Sequence, residues 1–319
     1  VESKTLSQPK LGLQVKRSAR FITLVCALGL ALAACTRAPK GPDRNAYAKE
    51  IEQWRAQRLA NLTSENGWLT LIGLFWLKDG RNTLGSDAGN DIMLPKEKLP
   101  ERAGAFTVAN GVVTFETPLA NTFMVDGQPV TSLQLKSDAD DTPTVLTLGS
   151  VTFQIIKRND KLGVRVKDKN NSDRTNFSGL ENYPADLKWR IDARFEPYNP
   201  PKPMPILNVL GMESDEPSPG AVVFEVNGQT YRLDAVTEQG ETQFFMIFAD
   251  DTRGKETYGA GRYLYVDPPD ANGRVIIDFN KAYSPPCAFT NYATCPLPPK
   301  QNVLPVAIEA GEKYKGHSS

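Results

Sequence analysis

The sequence predicts a mainly β protein: an N-terminal amphipathic helix, then a β-sandwich, then a second β-rich sandwich or barrel. Three observations carry this. Apolar residues at sustained helical spacing occur in one early segment, and no long run of that kind follows residue 63. From Gly67 onward, short apolar or alternating runs are separated by turn dipeptides, the punctuation of an all-β chain. Ten polar residues without periodicity, Lys167 to Asn176, divide this β-type sequence in two.

The helix is expected within residues 44–66, ending near Leu62, with Asp43 placed to cap its first turn. Tyr47, Ile51, Trp54 and Leu62 share one face while Lys49, Glu50, Glu52, Arg55 and Arg58 lie elsewhere, so the helix should pack on the domain behind it. The first β domain is expected over residues 67–168 and the second over 177–315. Asn110-Gly111, Asp126-Gly127, Asn227-Gly228 and Asn272-Gly273 have the form that tight hairpins favour, because Asn and Asp tolerate a positive φ and Gly adopts it freely. The flanking runs 105–108, 112–115, 222–226 and 275–278 read as strands, with Val222, Phe224 and Val226 alternating along one of them. The Pro-rich stretch 195–205 is expected to be an extended edge or crossover, since proline donates no ladder hydrogen bond.

The 319 residues suit two domains and contain a single histidine, His317. Histidine triads, His-ligated zinc and dinuclear His/carboxylate centres are therefore excluded, and no metal or cofactor is expected. At the N-terminus, Lys16 to Arg20 are basic and Phe21 to Ala34 form an apolar run of 14 residues, too short to span a bilayer and right for a signal peptide over residues 1–34. The polar residues before Lys16 make Val15 a second candidate for the translation start, beside Val1. Leu32-Ala33-Ala34-Cys35 resembles a bacterial lipobox, which implies cleavage before Cys35, lipid on its thiol and a tether over 35–43. Thr36, rather than Asp, after the cysteine implies sorting to the outer membrane, facing the periplasm. Without residues 1–34 the chain keeps 32 basic and 36 acidic side chains, a net charge of −4 with no basic block, so nucleic acid is not an expected partner. The expected partners are the membrane, through the lipid, and a small polar ligand or envelope protein.

Cys26 lies in the apolar run and Cys35 carries lipid, which leaves Cys287 and Cys295. In an oxidising compartment two thiols have one intramolecular connectivity, and a structural disulfide is expected; a reduced, buried pair is the alternative.

Two stretches resemble known families. Gly80-Arg-Asn-Thr-Leu-Gly-Ser86, Asn90-Asp-Ile-Met-Leu-Pro95, Phe106 and Phe123-Met-Val-Asp-Gly-Gln-Pro-Val130 are similar to a forkhead-associated domain, a β-sandwich that binds phosphothreonine peptides through its loops. Ser86 stands where that family has its phosphate-reading arginine, and Pro100 to Gly104 replace its Ser-x-x-His loop, so the resemblance implies the fold without the phosphate chemistry. Trp68 to Leu77, Tyr258-Gly-Ala-Gly-Arg-Tyr263, Asp278-Phe-Asn-Lys-Ala-Tyr283, Pro286-Cys287, Ala293 to Pro299, Asn302 and Ala310-Gly-Glu-Lys313 resemble the domain-of-unknown-function family 1684, over nearly all of 50–314. That resemblance implies one architectural unit and no established activity.

Chemistry-bearing residues concentrate in the C-terminal block. Arg262 follows Gly259 and Gly261, which would let backbone approach a ligand; Asp278 and Asn280 share a face; Tyr258, Tyr283 and Asn302 add polar contacts. This set suits a small polar ligand such as a sugar or acid. A structural ion pair between Arg262 and Asp278 suits it better. Asp250-Asp251 reads as a solvated turn; Asp138, Asp140 and Asp141 as a solvated acidic loop; Trp68, Phe75 and Trp76 as core. The expected function is a non-catalytic envelope binding or scaffold module. The alternative is a metal-independent hydrolase of envelope glycans using Asp278, which requires a second carboxylate across a cleft at roughly 5–10 Å.

Overall fold

The computed structural model describes residues 43–238 and 240–316; the signal peptide, Cys35 and all but the last residue of the tether lie outside them. The chain opens with α1 (Arg44–Leu62). Eleven strands follow: β1 (Leu71–Trp76), β2 (Gly80–Gly85), β3 (Ile92–Met93), β4 (Gly104–Ala109), β5 (Val112–Glu116), β6 (Phe123–Val125), β7 (Gln128–Val130), β8 (Ser132–Leu135), β9 (Val145–Leu148), β10 (Val151–Arg158) and β11 (Lys161–Asp168). They form two sheets, β1-β11-β10-β9-β6-β7 and β3-β2-β4-β5-β8. Phe106, Phe115, Phe123 and Phe153 meet between these sheets with Leu84, Leu146, Val164 and Val166, all fully buried. This is the expected sandwich.

The polar run at the boundary contains one helical turn, α2 (Ser172–Thr175). Seven strands then build the second domain: β12 (Arg190–Leu207), β13 (Glu213–Val226), β14 (Gln229–Asp234), β15 (Val236–Thr237), β16 (Phe244–Phe248), β17 (Arg262–Val266) and β18 (Arg274–Asp278). Their sheets are β14-β13-β12-β18 and β15-β16-β17, and Phe224, Leu233, Met246, Phe248, Leu264 and Ile277 fill the space between. The Pro-rich stretch lies inside β12 and pairs with β13 from Lys202 to Leu207.

Three of the four turn dipeptides close two-residue hairpins with positive φ at both positions: Asn110-Gly111, Asp126-Gly127 and Asn227-Gly228. Asn272-Gly273 does not. There Asp270 accepts hydrogen bonds from the amides of Asn272 and Arg274, making a loop that leads into β18.

The helix α1 packs on the second domain, with a seat more polar than expected. Tyr47, Ile51 and Leu62 are buried as foreseen, but Arg55 and Arg58, expected on another face, also point inward. Arg55 Nη2 donates to Tyr183 O at 2.7 Å, and Arg58 Nε pairs with the buried Glu312 at 2.8 Å. Residues 47, 51, 55, 58 and 62 follow a three-and-four spacing, so the arginines extend the apolar stripe rather than oppose it.

Candidate functional site

Strands β16 and β17 are apolar on both faces. Phe244, Met246 and Phe248, with Leu264 and Val266, point into the second core; Phe245 and Ile247, with Tyr263 and Tyr265, point away from it. That outer face, the inner side of α1 and the Asn66–Trp68 segment line a cavity of about 820 Å³, to which Arg158 adds a wall from the first sandwich. The rings of Trp54, Trp68, Phe245, Tyr263, Tyr265 and Tyr283 face it. Its volume lies in the range of small-ligand sites.

The polar groups around these rings are individually fixed. Arg58 sits 4.7 Å above the centre of the Tyr283 ring while paired with Glu312. Tyr263 Oη donates to Pro296 O at 2.8 Å, and Tyr265 Oη to Glu238 Oε2 at 2.6 Å. Arg158 pairs with Asp138 at 2.8 Å and donates to Thr294 Oγ1 at 3.0 Å, joining the two domains. Burial raises the pKa of Tyr263, Tyr265 and Tyr283 above the ordinary value, so their hydroxyls remain protonated donors. Behind the Trp68 ring, 5.2 Å from its centre, lies the Arg165 guanidinium. Burial first, and the neighbouring Arg158 charge second, push Arg165 down to about 10.

The residues singled out from the sequence do not converge on one ligand. Arg262 is fully buried and pairs with Asp250, not Asp278, at 3.0 Å; it also donates to the carbonyls of Ile308 and Ala310. Asp278 faces α1, both its oxygens accepting from Tyr47 Oη at 2.9 and 3.0 Å. Asn280 donates to Asp186 O and accepts from Asp186 N, stitching the loop before β12 to the end of β18. Asn302 does the same between Asp234 and Ile247, away from Asp278. Tyr258 donates to Cys287 O. It lines a second, more polar hollow of about 870 Å³. Of the expected set, Tyr283 alone lines the aromatic cavity.

Two further expectations are corrected. Asp250 is a buried ion-pair member rather than a solvated turn residue. Asp138 is held by Arg158 instead of standing in a free acidic loop. Trp68 packs against two core clusters, as expected, and also lines the cavity. Cys287 and Cys295 are neighbouring free thiols, with the Cys287 amide donating to Cys295 Sγ at 3.1 Å. A hydrogen bond from the Cys295 thiol lowers the Cys287 pKa, whereas that contact and burial raise the pKa of Cys295. Among the described residues, no three His, Cys, Asp or Glu side chains come together as a metal site.

The fold and the cavity define a double β-sandwich protein with a small-molecule-sized pocket where its domains meet. Residues 175–313 match the family described as "Protein of unknown function (DUF1684)", and through them the chain belongs to that family. The match is confined to the second domain, narrower than the expected 50–314. A solution NMR structure of an uncharacterised protein from Haloarcula marismortui is 30% identical, covers 44% of this chain and 78% of that one, and has a TM-score of 0.38. Two weaker similarities are to FHA-domain structures. The FhaA FHA domain, in complex with the intracellular domain of another protein, is 17% identical over 30% of this chain and 97% of its own, TM-score 0.21. A structure from a study of phosphothreonine-dependent FHA domain interactions is 18% identical over 31% and 96%, TM-score 0.22. No curated protein matches the chain.

Proposed function

We propose that the protein is a non-catalytic ligand-binding module of the bacterial cell envelope, anchored to the outer membrane by lipid on Cys35 and facing the periplasm. The observation that carries the binding role is the 820 Å³ cavity with six aromatic rings and separately fixed polar groups. Flat ring faces with hydroxyl, amide and guanidinium groups between them suit a compact, ring-bearing molecule with polar substituents, such as a sugar derivative or an aromatic acid. Arg58, Arg158 and the tyrosine hydroxyls already have protein partners, so they shape and orient rather than activate.

Tryptophan fluorescence reports on this site, because Trp54 and Trp68 both face the cavity. Titration of the full chain with envelope sugars, peptidoglycan fragments and aromatic acids is expected to give a saturable change. Tyr265→Ala, which removes one ring face, and Ser64→Trp, which places an indole at an exposed position on the rim, should abolish it. A signal that survives both variants would refute the cavity. The anchor is tested separately by metabolic palmitate labelling, which Cys35→Ser should eliminate.

A further inference from the structure

Four charged side chains line the aromatic cavity: Arg58, Arg158, Glu216 and Glu238. Both cations are already paired. Arg58 binds Glu312 at 2.8 Å and donates to Ser284 O at 3.0 Å, and Arg158 binds Asp138 at 2.8 Å. Neither Glu312 nor Asp138 lines the cavity, so each neutralises its arginine from behind. The two lining carboxylates have hydroxyl partners instead. Glu238 Oε2 accepts from Tyr265 Oη at 2.6 Å and Glu216 Oε1 from Ser214 Oγ at 2.9 Å, and neither pairs with a Lys or Arg among the described residues. They are neighbours in the fold: Thr237 Oγ1 donates to Pro217 O at 3.3 Å, joining the residues next to Glu238 and Glu216. The charge left over in the lining is therefore negative and lies on one side.

The rings beside these carboxylates form one continuous cluster. Tyr265 stacks on Phe245 with ring centres 5.0 Å apart and lies nearly parallel to Tyr283 at 6.4 Å. Tyr263 meets Phe245 and Tyr283 edge to face at 4.8 and 5.8 Å. The face of an aromatic ring is electron-rich and attracts a cation placed over it. The protein already uses the cluster in this way, with the Arg58 guanidinium 4.7 Å above the Tyr283 ring. The carboxylate side adds to that field. Burial first, and the Glu238 charge among the lesser causes, raise the pKa of both Tyr265 and Tyr283, so the charge of Glu238 is felt at both rings. An anion entering here would meet two carboxylates and no unpaired cation in the lining.

From this juxtaposition we infer that the cavity selects an organic cation, a ring-bearing amine or quaternary ammonium compound, held against the tyrosine cluster with Glu216 and Glu238 as its counter-charges. The inference rests on the cavity reading and narrows it, from ring-bearing polar molecules to those that carry positive charge, amino sugars rather than acids. Glu238 is exposed and Glu216 half-buried, so water screens their pull and the selectivity is moderate rather than absolute.

Matched probes separate this selectivity from the cavity itself. Benzylamine, benzyltrimethylammonium and benzyl alcohol present the same ring with and without positive charge, and benzoate presents it with negative charge. In fluorescence titrations of the full chain near neutral pH, both cations should bind about tenfold more tightly than the alcohol, the combined worth of ring faces and two hydrated carboxylates. Benzoate should bind more weakly than the alcohol. In the double variant Glu216→Gln with Glu238→Gln, the preference for benzylamine should fall to the roughly two- to fivefold that ring faces alone supply. Glutamine keeps an oxygen for the Tyr265 and Ser214 hydroxyls, and should the double variant misfold, Glu238→Gln alone should still lower the preference. Equal binding of the cations and the alcohol to the unaltered protein would overturn the inference and leave the cavity standing. Benzoate binding as tightly as the amines, or a cation preference unchanged by the glutamine substitutions, would overturn it too. If none of the four binds, the inference fails and the cavity is decided by its own titration, whereas benzyl alcohol binding that Ser64→Trp abolishes, with no cation preference, keeps the cavity alone.

Discussion

Asp250→Ala isolates the buried ion pair between Asp250 and Arg262. The Asp250 carboxylate accepts from Arg262 Nη2 at 3.0 Å, from the Ile308 amide at 2.8 Å and from Thr252 Oγ1 at 2.8 Å. Both partners are essentially inaccessible, with side chains 0% and 1% exposed. Removing the acid strands a guanidinium in the second core and frees an amide and a hydroxyl. Breaking a buried pair from one side costs about 3–5 kcal/mol. For a chain of this size about 2 °C of melting temperature accompanies each kcal/mol, so the transition should fall by about 6–10 °C. Urea unfolding followed by far-UV circular dichroism gives the free energy directly. Replacing both partners, as in Asp250→Leu with Arg262→Met, should recover much of the loss, because desolvation of the pair offsets most of its attraction. A single variant that melts within about 2 °C of the parent, the size of an exposed-site change, would refute the reasoning.

Other outcomes follow from the same geometry. A Cβ at Gly261, where φ is +100°, would sit 2.5 Å from Phe248 O, whereas at Gly259 its nearest neighbour is 3.9 Å away. Gly261→Ala should therefore cost about 1–3 kcal/mol and Gly259→Ala within about 0.5 kcal/mol, both read by urea denaturation; equal costs would contradict the close approach of β16 and β17. Asp168 is buried. Desolvation pushes its pKa up, but hydrogen bonds from Lys98, Asn170 N and Ser150 outweigh that and hold it below the usual carboxylate value. A depressed folded pKa contributes stability that is complete above the unfolded value of about 3.9 and disappears as pH falls through the folded one. The stability gap between the parent and Asp168→Asn should then be flat above about pH 5 and narrow below about pH 4, and parallel curves would contradict it. Maleimide labelling resolved by peptide mass spectrometry should modify Cys287, half-buried with a lowered pKa, well before the buried Cys295. Equal rates, or an unreactive pair in non-reducing buffer, would contradict the free-thiol arrangement.

What the sequence disclosed was local. Asn110-Gly111 and Asn227-Gly228 specify their hairpins by backbone chemistry, and Val222, Phe224 and Val226 declare a core-facing edge by alternation alone. Arg262 stands out in the sequence, but its partner is decided by the ladder that sets Phe248 opposite it, bringing Asp250 alongside. Nothing in the spacing of residues 250 and 262 announces that register. The cavity was illegible for a related reason. Phe244 to Phe248 read as an undivided apolar run, and only the packing of two domains and a helix assigns Phe245 and Ile247 to a hollow rather than a core. The alternation of Val164 and Val166 with Arg165 and Lys167 was visible in principle. It would ordinarily mark a solvated face, and its burial is a property of the assembled domains.

The seating of α1 also fixes the order in which the protein can be completed. Tyr47 and Asp278 are 231 residues apart, Glu50 and Lys281 likewise 231, and Arg58 and Glu312 are 254 apart. A helix of 19 residues has little reason to persist alone in water, yet each of these three partners is synthesised 231 or more residues later. The first sandwich has a core of its own and needs no residue beyond β11 to close it. The second sandwich must follow, and only then can the helix dock and complete the cavity wall that Trp54 and Arg58 supply. The earliest segment of the folded unit to leave the ribosome is thus among the last to reach its native place.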